Sequence, residues 1–468
     1  MNNTISDVVS NIKDQISNQV YKLYVWPSKT FHYVQNNIQH NIHFLREADM
    51  MTKFGMSLYL LKILIIICVI IGLLVVLYIG YHRVKSNFWS RQPVMHTFDI
   101  WNVWKKNGII DEGPIKPNHF FDIEHVHAVP IATNHKLLKR LVPFLTENFV
   151  SNYESATYTP TYHMLRSQFT TNIQSPSLLT TYVDNLKNDT TVPSQQGDSS
   201  KRILGCMLSR PIHVFLPNTP KMMVYYIDHL CVDKGHRRKN IAPTIIQTCY
   251  HYQRMYNPNA YVALFKREGD LTGIIPLTYY DSYYYNIHND VNYNFELQNH
   301  WNFTIATSST FPSIYHFISE NMKRYECCIL ADQTNVLHQI KSKNIRVVAC
   351  HYGKHIVGLF IFADNNISQN GKNIIELIAS IPATENRNID IETVWIKLFF
   401  SSMMFLNKKG GKQYDTVCLE KIGDNTILQQ CLSQKYYKIQ PTYVTKTAYY
   451  LYNYRHQPID SKNCLIIT

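Results

Sequence analysis

Three basic residues, Arg237, Arg238 and Lys239, stand together in the stretch YYIDHLCVDKGHRRKNIAPTIIQ, residues 225–247. An apolar run ends before them and an apolar helical pattern resumes around Pro243, which predicts a strand, a tight turn and a helix. Such a turn directs several backbone N–H groups at one point, where the helix dipole adds about half a positive charge. The arrangement suits a pyrophosphate, and Gly235 is expected to permit the turn. A solvated basic turn without a ligand is the alternative.

Other motifs with a defined chemistry are missing from the sequence. It contains neither GxxxxGK[ST] nor GxGxxG, the two common glycine-rich phosphate motifs. The ten cysteines include no CxxC pair, which suits neither a metal site nor a disulfide framework. We therefore expect reduced thiols in a reducing compartment and no bound metal.

The composition is basic, with 46 Lys and Arg against 33 Asp and Glu and a formal net charge of +13. Heavy use of Asn, Ile, Lys and Tyr indicates AT-rich coding, which by itself raises the lysine content. The charge also fits an anionic partner, which could be nucleic acid, a membrane surface or a phosphate-bearing cofactor. At 468 residues the chain is long enough for two or three domains.

The stretch ILIIICVIIGLLVVLYIG, residues 63–80, carries no charge. As a helix it would span about 27 Å, close to the hydrocarbon thickness of a bilayer. The sequence therefore predicts a head at residues 1–55, a transmembrane helix at 56–82 and a globular part after it. Basic residues soon after the span favour a cytosolic location for the globular part, although Lys53 and Lys62 before it weaken the bias. These residues are Arg83, Lys85 and Arg91.

The globular part alternates strand and helix patterns. Helical patterns cover HKLLKRLVPFLTENF, residues 241–256 and IETVWIKLFFSSMMFLNKKG. Strand patterns cover RILGCMLSR, HVFLP, MVYYIDHLCV, AYVALF, IRVVACHYGKHIVGLFIFAD with a hairpin at YGK, IIELIAS, YDTVCLE and AYYLYNY. The order ILGCMLS, YYIDHLCV, helix recurs as IVGLFIF, IIELIAS, helix, which predicts two related α/β halves. The second half has ASIPATENRNID in place of the basic turn.

Several segments resemble the N-myristoyltransferases, a family with a tandem GNAT fold. The basic turn lies in IDHLCVDKGHRRKNIAP, which resembles the family's core motif. The other matching segments are FWSRQPV, EGPIKP, LKRLVPFLTENFV, LGCMLSRP and AYYLYNYR, and they keep the family's order over residues 87–468. Each match alone is modest, and together they are specific.

The resemblance implies an α/β fold in which two tandem GNAT-like halves share one saddle-shaped mixed sheet. Residues 87–300 would form the acyl-CoA-binding half and residues 301–468 the peptide-binding half. The implied activity is transfer of a myristoyl group from myristoyl-CoA to an N-terminal glycine amine. The expected partners are proteins that begin with glycine and the lipid bilayer, without nucleic acid, and the protein is expected to be a monomer.

The resemblance also assigns site residues. Phe88 and Trp89 would pack on or near the CoA head, and the backbone N–H groups of His229 and Leu230 would form an oxyanion hole for the thioester carbonyl. The carboxylate of Thr468 would be the base for the glycine amine, with His229 the nearest alternative. The remaining implied CoA contacts are Leu230, Cys231, Val232, Lys234, Gly235, His236, Arg237, Arg238, Lys239, Asn240, Ile241 and Ala242.

The peptide side departs from the family. Asp228 stands where the family has Asn, and Ala263 aligns with a Thr. The family's Tyr-Trp/Tyr-His-Arg segment is matched only loosely by TYYDSYYYN, with Asp281 near the His position. Three hypotheses therefore stay open: a membrane-anchored N-myristoyltransferase, a GNAT enzyme acting on another amine, and a non-catalytic acyl-CoA-binding protein of a membrane or virion.

Overall fold

The structure is a computed structural model. It describes residues 50–85, 88–99, 101, 104–115, 117–149, 156–184, 202–287, 300–383, 391–433 and 439–468. Most of the predicted head lies outside these ranges, and so do residues 187–201, whose sequence KNDTTVPSQQGDSSK predicts a surface loop. The chain divides into two compact units. The first comprises the described parts of residues 1–110 with 272–277 and 454–458, and the second comprises the rest.

The described helices are α1 (Met50–Lys85), α2 (His135–Asn148), α3 (Tyr162–Gln168), α4 (Ile241–Tyr256), α5 (Phe311–Asn321), α6 (Gln333–Lys341), α7 (Ile391–Lys409) and α8 (Asn425–Ser433). The strands before the chain midpoint are β1 (Gly108–Ile109), β2 (Val126–Pro130), β3 (Ala156–Tyr158), β4 (Leu178–Asp184), β5 (Arg202–Phe215) and β6 (Met222–Val232). The later strands are β7 (Ala263–Glu268), β8 (Thr278–Asn286), β9 (Trp301–Ile305), β10 (Cys327–Leu330), β11 (Ile345–Tyr352), β12 (His355–Ala363), β13 (Ile367–Gln369), β14 (Lys372–Pro382), β15 (Thr416–Glu420), β16 (Tyr443–Tyr452), β17 (Tyr454–Arg455) and β18 (Cys464–Ile467).

The first unit contains α1 and the two-stranded sheet β1–β17. The 23 residues from Tyr59 to Tyr81 have a mean hydropathy of 3.4 and are not buried. A helix of this length and composition is long and apolar enough to cross a bilayer. It covers the predicted apolar stretch and continues past both of its ends.

The second unit is built on one mixed sheet. Its strand order is β18-β10-β5-β6-β7-β16-β8-β15-β14-β12-β11-β9, with β2, β4, β3 and β13 attached beside this path. The predicted repeat is present. β5 and β6 pair antiparallel and α4 crosses to the parallel strand β7, while β12 and β14 pair antiparallel and α7 crosses to the parallel strand β15.

Each crossover helix packs on the sheet of its own half. Ile241 and Ile245 of α4 pack on Leu204 and Met207. Trp395 of α7 belongs to the larger core cluster of the second half. Burial of these apolar faces stabilises each helix on its strands, at roughly 25 cal/mol per Å² of apolar surface removed from water.

A glycine in the first strand of each half makes room for the helix above it. A Cβ on Gly205 would lie 2.7 Å from Cδ1 of Ile245, and a Cβ on Gly358 would lie 2.4 Å from Cζ3 of Trp395. We expect Gly358→Ala to destabilise the protein by about 1–3 kcal/mol, because the fixed indole ring must move. Thermal melts would measure this, with Gly80→Ala as the control, because a Cβ at Gly80 would meet nothing within 4 Å. An unchanged melting temperature for Gly358→Ala would contradict the packing argument.

The two strands predicted at RILGCMLSR and HVFLP are one strand, β5, which continues through Pro211. On the outer edge of β5, β4 pairs with residues up to Ser209 and β10 pairs with residues from His213. Pro211 lies in the gap between these partners, so its missing N–H leaves no ladder bond unmade on that edge. No local pattern around Pro211 indicates this gap.

Strands from the end of the chain pair within the first half of the repeat. β16 lies between β7 and β8, and β18 joins β5 through β10. Most of both predicted halves therefore lies in the second unit, whereas residues 88–110, 272–277 and 454–458 belong to the first. The division at residue 300 stays a prediction about the repeat. The mixed α/β sheet agrees with the predicted fold class.

Candidate functional site

The basic turn between β6 and α4 is organised by Asp233. Its carboxylate accepts hydrogen bonds from the Gly235 N–H at 3.0 Å and from Nδ1 of His236 at 2.7 Å, and Arg202 lies 3.2 Å away. The hydrogen bond from His236 is the largest cause that holds the pKa of Asp233 below its usual value. Asp233 therefore stays ionised at neutral pH and braces the turn.

The residues with a left-handed backbone conformation in this turn are not the expected glycine. Arg238 and Asn240 have φ angles of 63° and 61°, whereas Gly235 is not left-handed. Asn tolerates this region because its short side chain can bond locally. Gly235 was expected to permit the turn, and it does so without a left-handed φ. Its N–H donates to Asp233, and a Cβ there would lie only 3.3 Å from Oδ1 of Asp233.

The first turn of α4 leaves backbone N–H groups unpaired. Ile241, Ala242 and Pro243 are its first three residues, and these positions have no intrahelical acceptor for an N–H. Proline at the third position therefore costs no hydrogen bond, as predicted. The free N–H groups and the positive end of the helix dipole converge on the turn.

The charged side chains of the turn divide into two kinds. Lys234, Arg238 and Lys239 are exposed. Arg237 instead donates from Nη2 to the carbonyl of Asn148 at 2.8 Å, and Oδ1 of Asn148 accepts the Lys234 N–H at 3.0 Å. Arg237 thus fixes the turn to the end of α2, while the exposed cations are available to a ligand.

A β-bulge precedes the turn at the predicted oxyanion hole. Cys206 pairs with Cys231 and Leu208 with Asp228, so His229 and Leu230 both lie opposite Met207. His229 has a φ of 49°. A bulge of this kind releases backbone groups from the ladder. The His229 N–H is engaged, because it donates to Oδ1 of Asp228 at 2.8 Å.

The His229 ring points into the interior of the second unit. It is 5% exposed, and Nε2 lies 2.7 Å from the hydroxyl of Tyr158. Phe149 and Phe169 pack around it. Burial lowers the pKa of the ring, opposed by the nearby Asp228 carboxylate. The ring is therefore neutral at pH 7 and is enclosed, which makes it a poor base for an incoming amine.

Thr468 lies at the end of the buried strand β18. The side chain of Thr468 lies close enough to the hydroxyls of Tyr226 and Tyr449 to favour their ionised forms, against the larger opposing effect of burial on the pKa of each. Burial, and next the Asp228 carboxylate, raise the pKa of Tyr226 to about 12, so its hydroxyl remains a donor at neutral pH. The guanidinium of Arg210 lies 5.4 Å from the Tyr226 ring centroid. Tyr226 therefore lies near enough to Asp228 and to Thr468 for both to influence its hydroxyl.

A buried polar row continues along the sheet from Tyr449. Nζ of Lys266 lies 2.5 Å from Oε1 of Glu420, which also accepts the Tyr280 hydroxyl at 3.0 Å. Glu376 lies 3.9 Å from the same ammonium. Burial, opposed by Lys266, raises the pKa of Glu376 to about 7.

This raised pKa predicts a pH-dependent stability. A carboxyl whose pKa is higher in the folded state favours folding below its ordinary pKa, and that contribution is lost as the pH rises through about 7. Glu376→Gln should therefore gain stability relative to the parent between pH 5 and pH 8, by about 2–3 kcal/mol. Melting temperatures of both proteins at the two pH values would measure it. If the two proteins differed in melting temperature by the same amount at pH 5 and at pH 8, the pKa of Glu376 would not be raised by folding.

The sequence did not reveal several residues that surround the predicted ones. Tyr158 contacts His229 across 71 positions. Arg210 is 2% exposed, within an apolar strand. A charged residue at such a position indicates a buried partner, and this was the signal available for Arg210. Tyr449 lies in a row of tyrosines that gave no such signal.

The predicted CoA contacts from Leu230 to Ala242 form one continuous segment of the second unit. Phe88 and Trp89 lie in the first unit, where their rings pack edge to face with centroids 5.0 Å apart. Their contact with CoA stays a prediction. Among the described residues no group of three or more His, Cys, Asp or Glu could hold a metal ion.

Comparisons with known proteins give one kind of match. No protein-family model and no curated protein sequence matches the chain. Three solved structures of N-myristoyltransferase from Saccharomyces cerevisiae are similar, all with bound myristoyl-CoA and one also with inhibitors. They are 15%, 14% and 15% identical, cover 82%, 82% and 83% of this chain and 99%, 95% and 98% of their own, and give TM-scores of 0.59, 0.61 and 0.60. The chain therefore has the fold of the N-myristoyltransferases.

Proposed function

We propose that the protein transfers a myristoyl group from myristoyl-CoA to the N-terminal glycine amine of proteins at a membrane. The observation that carries the proposal is the bulge at residues 229–230, which directly precedes the cationic turn and the N-terminus of α4. A thioester carbonyl and the CoA phosphates need such groups a short distance apart. The structures of similar fold were solved with bound myristoyl-CoA, which supports this class of donor.

In the proposed reaction the exposed cations and the α4 N-terminus bind the CoA phosphates. The thioester carbonyl faces the bulge, where the Leu230 N–H stabilises the oxygen as the amine attacks. The new bond joins the amine nitrogen to the acyl carbon, and the bond from that carbon to sulfur breaks. The proton lost by the ammonium passes to the base, and CoA leaves after taking up a proton as the thiol.

The proposed base is a carboxylate at Thr468, because an ammonium cannot attack a thioester until it loses a proton. An α-amino group and an α-carboxyl differ by about 4 pKa units in water, or roughly 6 kcal/mol. A dry environment reduces this difference, because desolvation disfavours both charged forms. The buried strand β18 and the hydroxyls of Tyr226 and Tyr449 would provide such an environment.

A covalent acyl-cysteine is a less suitable route. Cys206 and Cys231 are the thiols closest to the bulge along the strands, and both are buried. Burial raises the pKa of Cys231 to about 12 and that of Cys206 well above its usual range. Both thiols are therefore protonated at neutral pH and are weak nucleophiles. Direct transfer to the amine is the mechanism that these surroundings favour.

The proposed location is a membrane crossed once by α1, with the second unit in the cytosol, where acyl-CoA is available. The test of function is incubation of the full-length protein in lipid nanodiscs with myristoyl-CoA and a peptide that begins with glycine. Mass spectrometry should find the myristoyl group on the glycine nitrogen, and the same peptide acetylated at that nitrogen should remain unmodified. If the protein bound myristoyl-CoA but formed no acylated peptide, it would be a binding protein, and the proposed enzymatic activity would be wrong.

Transfer to another amine is a second candidate, favoured by Asp228. Its carboxylate lies beside the oxyanion hole, where it could hold a strongly cationic acceptor such as a lysine ammonium. The neighbouring strand has Ala263, which offers no side-chain hydroxyl. Peptides with a blocked N-terminus and a free lysine would distinguish this candidate from the first.

Asp228→Asn separates the two candidates. For a glycine acceptor we expect about a tenfold rise in kcat/KM, because the amide keeps an oxygen for the His229 N–H and removes a negative charge beside the developing oxyanion. For an acceptor held by the carboxylate, the same change should reduce kcat/KM. Asp270→Asn, at an exposed position after β7, is the matched control. Unchanged kinetics with both acceptors would mean that Asp228 has no electrostatic role in the reaction.

A further inference from the structure

Two tryptophans in the first unit are exposed. Trp101 and Trp104 are 65% and 71% exposed, and their ring centroids lie 5.7 Å apart. Outside the apolar span of α1 they are the most exposed large apolar side chains among the described residues. Leaving two adjacent indoles in water is costly, and a pair of this kind indicates an interaction surface.

Hydrogen bonds hold both tryptophans. The Trp104 N–H donates to the Trp101 carbonyl at 3.2 Å, and the Trp101 N–H donates to Oδ1 of Asp99 at 3.1 Å. Lys105 bonds the other oxygen of Asp99 at 3.1 Å. This bracing presents both indoles together and limits the entropy lost when they bind.

The same unit connects the two tryptophans to the apolar helix. The hydroxyl of Tyr78, near the end of the apolar span of α1, donates to Oγ1 of Thr97 at 3.4 Å. Thr97 in turn bonds the Gly273 carbonyl through its N–H at 3.0 Å. The segment that leads to Trp101 is thus attached to the last turns of the span. This end of the helix would lie in the interfacial layer if α1 crosses a bilayer.

We propose that Trp101 and Trp104 insert into the interfacial layer of the bilayer that α1 crosses and act as a second anchor for the first unit. Indole rings prefer this layer because they are apolar and carry one N–H donor. The adjacent Lys105 and Lys106 are exposed and suit anionic lipid phosphates. The proposal rests on the membrane location proposed above and is independent of the acyl-transfer chemistry.

The test uses full-length protein in vesicles of phosphatidylcholine and phosphatidylserine whose acyl chains carry bromine either near the headgroup or near the methyl end. Bromine quenches indole emission on contact. The fluorescence of these two indoles is obtained by subtracting the emission of the double variant Trp101→Phe/Trp104→Phe from that of the parent. We expect headgroup-proximal bromine to quench this difference more strongly than deep bromine. Trp301→Phe, in the second unit, is the control, and its loss should leave lipid quenching unchanged.

Two outcomes would overturn the proposal. If iodide in the buffer quenched the difference emission and neither bromolipid did, the indoles would lie in water. If neither quencher reduced the difference emission and the Trp101→Cys variant cross-linked two copies, the surface would be a protein contact. If the double variant has a lower melting temperature than the parent, each single substitution gives the difference emission of one indole instead. Whether α1 spans the bilayer is tested separately, by whether the parent stays in the vesicles during extraction at alkaline pH. If it stays and the bromolipids do not quench the indoles, only the proposed tryptophan anchor is refuted.

Discussion

Arg238→Glu with Lys239→Glu is expected to weaken acyl-CoA binding by about a hundredfold or more. Each charge-assisted hydrogen bond to a phosphate contributes about 1.5–3 kcal/mol, and about 1.4 kcal/mol is a factor of ten in affinity. Both side chains are exposed, so the fold should be little affected, because surface substitutions usually change stability by within about 0.5 kcal/mol. Isothermal titration with myristoyl-CoA would measure the loss.

Two comparisons make this result specific. Lys354→Glu with Lys372→Glu changes the net charge equally at exposed positions of the second unit, and it should leave the affinity nearly unchanged. Arg237→Glu should instead lower the melting temperature, because Arg237 holds the turn to α2. If the Arg238 and Lys239 variant bound acyl-CoA as tightly as the parent, the phosphate site would have to lie elsewhere.

Extension of the chain beyond Thr468 is expected to abolish turnover while acyl-CoA binding survives. A residue joined to Thr468 converts its carboxylate into an amide, which cannot accept the ammonium proton. General base catalysis typically contributes about 10²–10⁴-fold, so kcat should fall by at least about a hundredfold. Burst and steady-state measurements of CoA release would give kcat, and titration would give the affinity.

A matched tag at the N-terminus is the control for the presence of extra residues. Thr468→Val keeps the carboxylate but removes the hydroxyl that Tyr226 and Tyr449 contact. We expect it to lower kcat by less than the extension does and to lower stability by about 1 kcal/mol. Full activity in the extended protein would remove this base from the mechanism. Since His229 is enclosed, the search would then turn to Asp228.

Local patterns predicted the elements around the site well. The helix at residues 241–256 was predicted with the bounds that the structure has, because apolar spacing and a first-turn proline are properties of the segment itself. The recurring order of strands was likewise visible, since each crossover unit is continuous in sequence. The glycine at the start of each repeat is explained only by the structure, where Gly205 and Gly358 face the helices.

Contacts between distant segments could not be predicted from these patterns. The strand through Pro211 depends on where two other strands end. The enclosure of His229 depends on Tyr158, which reaches it from a separate strand. Asp228 was noted as a departure, but its bond to the neighbouring N–H is a matter of side-chain conformation. The positive φ of Arg238 was equally invisible, because glycine is the usual indicator of that conformation.

The position of β18 in the sheet has a consequence for synthesis on the ribosome. β10 is wholly buried and pairs on one side with β5 and on the other with β18. A nascent chain folds its earlier segments first, yet this apolar strand keeps one edge unpaired until residues 464–467 have emerged. Unpaired apolar edges promote association between chains. Chains that terminate before Cys464 should therefore collect in the insoluble fraction.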